Sequence, residues 1–509
     1  MFDLTPIFRL MARRRLGKLA RLDPAETQER QLLGLVRKAA ATRFGRDHGF
    51  DAIRSVADFQ ARVPLRRYED FWAEYWREPF PHISDVSWPG TIPYFAVTSG
   101  TTTGATKYIP CSPAMLRSNV RASLDILTHH VANRPDSKLL GGRGFMLGGS
   151  TDLVTQAPGI ASGDISGIAV AELPWWMSRR YFPSKEMALL ADWEEKIAKM
   201  APASLQADIR TISGTPSWLL VFIDRLAALR PDLPHRLASY YPNIELLIYG
   251  GVNFAPYRAQ FEALLEGSRA ELREVYPASE GFIAVADRGP GDGMRMLLDT
   301  GLFYEFVPVE ELESANPTRH WIGNAETGVN YALVLSSCAG VWSYILGDTV
   351  RLIDTDPPRV LVTGRTSYML SAFGEHLIDE EIEEAVAKAA TSIGARVTDY
   401  SVGAVFPKKK GALGHHLYIV EFAGPVPAKA ELKRFSEILD ADLSATNEDY
   451  EAHRIGDVGL AGPRLHAVAP GTFAGWMKKR GKLGGQNKVP RIITDEDLFD
   501  DLRTFAKAR

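Results

Sequence analysis

Residues 95–110 read FAVTSGTTTGATKYIP, and the segment from Thr98 to Thr106 holds five threonines, one serine and two glycines before Lys107. Glycine lets successive backbone N–H groups turn toward an anion, hydroxyls add donors and lysine adds charge, a combination suited to a triphosphate. The same composition also describes a flexible surface loop. The flanks favour the first. A strand-like IPYFAV precedes the run, and after KYIP the pair Ser112-Pro113 opens a helix in which Leu116, Val120, Leu124, Leu127 and Val131 recur at helical spacing. The run is therefore expected to join a strand to a helix and to hold phosphate. It is not a Walker A loop, because Gly104 is followed by Ala105-Thr106-Lys107 rather than by Gly-Lys. GGRGFMLGG fails the dinucleotide pattern GxGxxG, and no GxSxG elbow occurs.

Outward from that loop the composition is ordinary for a globular chain: 509 residues, 45% hydrophobic, 24% charged, with 59 Lys+Arg against 62 Asp+Glu for a net charge of −3. Such a balance gives no reason to expect nucleic acid or an acidic membrane as partner, and leaves small solutes. Cys111 and Cys338 are the only cysteines and lack CxxC spacing, which argues against a disulfide framework or a cysteine zinc site and fits a reducing cytoplasm. No apolar stretch approaches the roughly 20 residues a membrane span needs. The N-terminal MFDLTPIFRLMARRRLGKLARLD interleaves Phe8, Leu10, Met11, Leu16 and Leu19 with Arg13, Arg14, Arg15 and Lys18. A docked first helix is expected there, although a basic amphipathic helix is also the form that lies on membranes or serves as a transit sequence.

The pattern along the chain indicates an α/β protein. Residues 1 to about 90 read as helical, with Trp72, Tyr75, Trp76 and Phe80 giving an aromatic face. From 139 to 310 short apolar runs alternate with helical patterns, and from 321 to 363 closely spaced strands suggest a small β subdomain. Beyond Gly364, DEEIEEAVAKAA places Ile382, Val386 and Ala389 on one helical face and HHLYIVEF reads as a strand, so residues 365–509 form a separate small α+β domain. His415-His416, at the start of that strand, is expected as a surface pair rather than a metal site.

Three further stretches fit a nucleotide site. VYPASEG puts Tyr276 four residues before Glu280, and a carboxylate near a triphosphate usually serves Mg²⁺; the plain alternative is an exposed glutamate at a turn. In VWSYILGDTVRLID, Asp348 could accept hydrogen bonds from ribose hydroxyls, or Gly347-Asp348 could be an ordinary type I turn. In LVTGRTSYML, Arg365 follows a strand and a glycine, and a surface ion pair is its alternative.

In this order the stretches resemble the adenylate-forming superfamily of acyl-CoA synthetases, luciferases and peptide-synthetase adenylation domains. Within it they look most like the acyl acid amido synthetases, the Gretchen Hagen family, which has bacterial members. The resemblance runs from about Tyr94 to Arg491. It implies a large N-terminal adenylate-forming domain over 1–364, with β-sheets, helices and the small β subdomain, and a mobile C-terminal domain over 365–509. It implies that Thr98, Ser99, Gly100, Thr101, Thr102, Thr103, Gly104 and Lys107 hold the phosphates of ATP. Tyr276, Ser279 and Glu280 fall on the superfamily's Tyr-Gly-x-Thr-Glu motif, with Glu280 as the Mg²⁺ ligand, and Asp348 on the aspartate of Tyr-x-x-Gly-Asp. Gly364-Arg365 falls on the hinge motif, and GGQNKVPR looks like the amido synthetases' ending, which nominates Lys488 as catalytic.

Some positions depart from the pattern. Pro277 and Ala278 replace the commoner glycine and hydroxyl residue, Ser367 stands where many members have the hinge aspartate, and Ser371 replaces a lysine frequent in acyl-CoA synthetases. The implied activity is ATP-dependent adenylation of a carboxylic acid, followed by acyl transfer to an amine, with domain alternation between the steps. Two other readings of the same residues are an acyl-CoA ligase and a catalytically silent nucleotide- or acid-binding relative. Trp175, Trp176, Tyr249, Gly250, Gly251 and Phe254 are candidates for lining an apolar acid pocket, their alternative being core packing. Arg179 and Arg180 could receive a carboxylate or be solvated surface charge. The expected partners are a carboxylic acid and an amino acid, the expected site the cytoplasm, and the expected state a monomer.

Overall fold

The computed structural model describes residues 2–507 other than 100–105, 149–152, 174, 189, 191–192, 251–253, 255–256, 290, 367–368, 371–376, 407–412, 448–449, 452–453, 455–459 and 483–487. The chain divides into two compact units, one formed by residues up to Val362 and the other from Thr363 onward.

The first unit begins with helices Thr5–Leu19, Pro24–Ala39, Arg43–Asp47, Val56–Arg62 and Tyr68–Phe71. Asp23, Thr42 and Ser55 cap three of them by accepting the backbone N–H groups of Glu26, Gly45 and Asp58. Their aromatic faces gather on Trp342, which packs against Phe44, Phe50, Phe59 and Trp88. Full burial of each such ring contributes about 2–3 kcal/mol. Trp342 immediately precedes Ser343-Tyr344, so this cluster fixes the start of strand Tyr344–Thr355.

The hydroxyl-glycine run closes a hairpin, which corrects the expectation that it leads from a strand into a helix. Strand Tyr94–Ser99 pairs antiparallel with Thr106–Cys111, and Thr98 stands opposite Lys107. KYIPC takes a strand's period because Ile109 and Cys111 enter the aromatic core from one side of it. Only then does Ser112 cap helix Pro113–Asn133, accepting N–H bonds from Ala114 and Met115. The buried face of that helix is wider than its leucines and valines suggest. Val131 is buried and Leu116, Leu124 and Leu127 are partly buried against the core, but Val120 is exposed, and Met115, Ser118, Ala122, Asp125, Ile126 and His129 are buried beside them. Polar side chains win these places because partners await them: Ser118 Oγ donates to the Thr300 carbonyl, and Asp125 receives Arg15.

A twelve-stranded sheet runs through the unit. Strands Arg143–Leu147, Ile209–Gly214, Leu246–Gly250 and Glu271–Ala278 are parallel neighbours, with helices such as Pro216–Leu229 and Arg258–Leu265 in the connections. At Glu271–Ala278 the sheet changes character: Gly281–Val285 and Met294–Met296 follow antiparallel. Pro358–Arg365, Tyr344–Thr355, Asn330–Ser337, Leu302–Pro308 and His320–Trp321 continue that side, and Tyr181–Phe182, parallel to Arg143–Leu147, forms the opposite edge. The closely spaced strands after residue 320 are thus an antiparallel wing of the large sheet. Cys111 and Cys338 are free and buried, and burial pushes both thiols up to about 12.

In the second unit strands Val397–Val405, His415–Phe422 and Ala461–Val468 form one sheet, with helices Asp379–Ser392 and Lys429–Thr446 contributing to its core. Ile382, Val386 and Ala389 are buried on the expected face. The histidine pair is not a surface pair. Strand alternation carries His416 to the interior beside Tyr450, while burial and Arg464 hold His415 down to about 4.

Candidate active site

Ligand sites in α/β sheets lie beyond the carboxyl ends of parallel strands. At that end of strand Glu271–Ala278, the two residues Ser279 and Glu280 make the turn into Gly281–Val285. A Cβ at Gly281 would lie 2.5 Å from Leu302 Cδ2, so any larger residue there would displace that side chain. Glu280 is 7% exposed, against the exposed turn residue that was its plain alternative. Its carbonyl accepts Ser337 Oγ at 2.9 Å and its carboxylate accepts the Tyr344 hydroxyl. Burial pushes the Glu280 carboxyl up to about 7; Tyr344 and Lys107 pull it down and Asp348 pushes it up.

Asp348 lies within a strand rather than at a type I turn. Ala332 stands opposite Thr349 and Val334 opposite Ile345, so two steps on one strand match four on the other, and the extra residues bulge. Gly347 takes φ 92° in that bulge, a conformation that L side chains rarely adopt. The bulge re-aims Asp348, whose Oδ2 receives the Tyr276 hydroxyl at 2.7 Å. The start of the strand is equally constrained. Ser343 sits at φ 42° and donates its hydroxyl to the fully buried Glu305 at 2.9 Å, and Arg319 bonds both Glu305 and Ser343.

Lys107 reaches the same neighbourhood from the hairpin. Its Nζ lies 3.2 Å from Glu69 and 5.2 Å above the Tyr68 ring, and the Tyr68 hydroxyl accepts the Tyr108 N–H at 2.9 Å. The structure therefore brings together Lys107, Tyr276, Glu280 and Asp348, with Tyr344, Tyr68 and Glu69 as their supports. Sequence reasoning missed those supports. Tyr344 carried a signal, four residues before Asp348 in the Tyr-x-x-Gly-Asp pattern, whereas Tyr68-Glu69 sits on an unremarkable helix more than 30 residues before Lys107.

The remaining nominated residues fall partly beside these and partly away from them. Thr98 and Ser99 end strand Tyr94–Ser99, and Gly100, Thr101, Thr102, Thr103 and Gly104 lie outside the described residues, as does Gly251. Ser279 is buried beside Glu280. Trp175 and Trp176 head helix Trp175–Ser178. Tyr249 and Phe254 stack at 3.8 Å within the core of the parallel strands, and the Tyr249 hydroxyl is buried without a hydrogen-bond partner among the described residues. Gly250 permits close strand approach, since a Cβ would lie 2.3 Å from the Val275 carbonyl oxygen. Arg180 does not await a carboxylate: it donates to the carbonyls of Leu140 and Phe2.

In the second unit Arg365 ends strand Pro358–Arg365 and, with Arg491, favours ionisation of Asp379, which burial still pushes up to about 6. Lys488 is exposed. The residues just beyond it are anchored, because the Pro490 carbonyl accepts Ser401 Oγ at 2.7 Å and the Arg491 carbonyl accepts the Val402 N–H at 2.7 Å. The Arg491 guanidinium pairs with Asp399 and lies 4.6 Å over the Tyr400 ring.

Three family models match the chain: GH3 family N-terminal domain over residues 15–172, central domain over 295–365 and C-terminal domain over 380–497. A probable indole-3-acetic acid-amido synthetase, GH3.9 of Oryza sativa subsp. japonica, is 26% identical over 58% of this chain and 70% of its own length. Indole-3-acetic acid-amido synthetase GH3.3 of Arabidopsis thaliana is 23% identical over 52% of this chain, and the match spans under half, 46%, of that protein. The solved structure of AtGH3.15 acyl acid amido synthetase in complex with 2,4-DB superposes with TM-score 0.82 and 18% identity, covering 99% of this chain and 97% of that one. A 2-hydroxyisobutyryl-CoA ligase in the postadenylation state gives TM-score 0.61 at 15% identity, covering 94% and 91%. At such identities these structures establish a shared fold.

Proposed function

Because the chain belongs to the GH3 family, we propose that it activates a carboxylic acid with ATP and transfers the acyl group to the amine of an amino acid. The observation that carries this reading is the convergence of Lys107, Glu280 and Asp348, with Tyr276 and Tyr344 holding the two carboxylates, at the carboxyl end of the parallel strands. A carboxylate is a poor acyl donor because its leaving group would be oxide. Attack of its oxygen on the α-phosphorus of ATP, with cleavage of the bond to the β-phosphate bridging oxygen, gives an acyl adenylate and pyrophosphate. The amine then attacks the acyl carbon, the bond to AMP oxygen breaks, and the amine nitrogen loses its proton.

Charge rises on the transferring phosphorus, so the protein's part is positioning and electrostatic stabilisation. Lys107 and the hydroxyls of the hairpin turn would hold the phosphates, and Asp348, fixed by Tyr276, would accept from the ribose. Glu280 fits Mg²⁺: a buried carboxyl held near neutrality by desolvation becomes a good oxygen donor once a cation offsets that cost, and Mg²⁺ usually takes one or two carboxylates plus phosphate oxygens. When bound, the ion neutralises phosphate charge. Lys488 and Arg365, with residues from 365 onward as a moving domain, would complete the site for adenylation and withdraw for acyl transfer. Tyr249, Gly250 and Phe254 border the end of a parallel strand where an apolar acid would lie, with Trp175 and Trp176 as further candidates. A monomer in the cytoplasm suits the two buried free thiols, and no described helix is long and apolar enough to cross a membrane.

ATP–pyrophosphate exchange by the purified protein with Mg²⁺ tests the reading, using a panel of aryl, indole and fatty acids. Exchange stimulated by one acid, and an amide on adding amino acids, is expected. Thioester formation with coenzyme A in place of the amide would make the protein an acyl-CoA ligase, and ATP binding without exchange for any acid would make it a silent relative.

A further inference from the structure

Twelve large apolar side chains are exposed among the described residues, and four of them, Phe2, Ile7, Leu10 and Met11, fall within the first eleven positions. The others are scattered between Val120 and Val426. Ile7, Leu10 and Met11 stand at i, i+3 and i+4 on helix Thr5–Leu19, and Arg14 continues the same stripe. The opposite face is firmly seated. Phe8 and Ala12 are buried with Val131, Leu139 and Leu246; Arg15 pairs with Asp125 at 2.6 Å and Asp299 at 2.7 Å; Arg9 donates to the carbonyls of Arg134 and Ser137. The exposed stripe is therefore the outer face of a docked helix.

Charge distinguishes what that face meets. Between Phe2 and Arg21 there are six Lys+Arg and one Asp, in a chain of net charge −3. Arg13 and Arg14 are exposed beside the apolar stripe. A second copy of the chain docked through this face would set the same basic side chains against one another, because a two-fold interface is self-complementary. An anionic surface would meet the basic residues favourably and take up the apolar ones. We propose that the outer face of helix Thr5–Leu19 seats the protein on an anionic lipid surface, Ile7, Leu10 and Met11 entering the headgroup boundary and Arg13 and Arg14 meeting lipid charge, while Lys18 is held by Asp299 at 2.6 Å. The rest of the chain carries a net negative charge, so the attraction does not come from the overall charge of the protein.

The full-length protein is tested by co-sedimentation with vesicles of phosphatidylcholine alone and with about 30% phosphatidylglycerol, at low and high salt. Partition into the anionic vesicles only, weakened by salt, is expected. Arg13→Gln with Arg14→Gln lowers it about 25-fold, at roughly fivefold per charge. Ile7→Gln with Leu10→Gln and Met11→Gln lowers it about tenfold or more. Both variants keep the thermal unfolding and nucleotide binding of the parent, since the changed side chains are exposed and lie outside the candidate active site. Failure of the parent to partition overturns the proposal, as does partition that neither variant alters. So does a dimer in sedimentation velocity that the apolar triple variant converts to monomer, which would assign the face to a second copy.

Discussion

Replacing Glu280 with glutamine removes a carboxyl that burial raises from an ordinary 4.5 to about 7, while leaving an oxygen to accept the Tyr344 hydroxyl. In the unfolded chain this glutamate ionises near its ordinary value, so between pH 4.5 and 7 the folded protein binds the proton that the unfolded chain has lost. The sign follows: the group's contribution is fully present below about 4.5 and is lost as pH rises through about 7. The difference is worth about 3 kcal/mol, fully developed by about pH 8. Ligand-free Glu280→Gln should therefore differ from the parent by less than about 1 kcal/mol near pH 5 and be more stable by about 3 kcal/mol near pH 8, as buried charge gives way to a neutral amide. Thermal unfolding of both proteins at pH 5, 6, 7 and 8 measures this, and the difference between the two curves isolates Glu280 from every other titrating group. ATP with Mg²⁺ should reverse the order, raising the Tm of the parent and not of the variant, with pyrophosphate exchange reduced about 100-fold or more. Parallel pH curves would refute the buried, elevated carboxyl; an unchanged response to ATP and Mg²⁺ would refute its role as metal ligand.

Two other substitutions address the lysines. Glu69 is half-exposed and holds Lys107 at 3.2 Å, an exposed pair worth less than about 1 kcal/mol, so ATP displaces it at small cost. Glu69→Gln should lower the KM for ATP about two- to fivefold at unchanged kcat, and a raised KM would instead make Glu69 a group that positions Lys107 for phosphate. Lys488→Ala should lose adenylation while still binding ATP, read by exchange and by equilibrium binding, and an unaffected exchange rate would remove Lys488 from the machinery.

Much of the nucleotide-site reading is local chemistry. Glycine and hydroxyls before Lys107, a carboxylate after Tyr276 and Gly347 before Asp348 are compositions whose meaning lies in a few consecutive residues, so they are legible without a fold. The glycine at 347 illustrates both sides. Its presence signals an unusual backbone, but only pairing with Asn330–Ser337 makes it a bulge instead of a turn. Helix Pro113–Asn133 shows where apolar periodicity is incomplete: Asp125 and Ser118 share the buried face because Arg15 and the Thr300 carbonyl meet them there, and those partners lie about 110 and 180 residues away.

The sequence by itself determined the α/β class, the order of the motif stretches and their membership of one superfamily pattern, because propensity, capping and motif chemistry act over short stretches. Tertiary structure alone decided that the hydroxyl-glycine run closes a hairpin, that Glu280 is buried enough to stay half-protonated near neutrality, and that Tyr344, Tyr68 and Glu69 support the site. Desolvation and hydrogen-bond pairing are set by which distant segments come into contact, and no window of consecutive residues contains them.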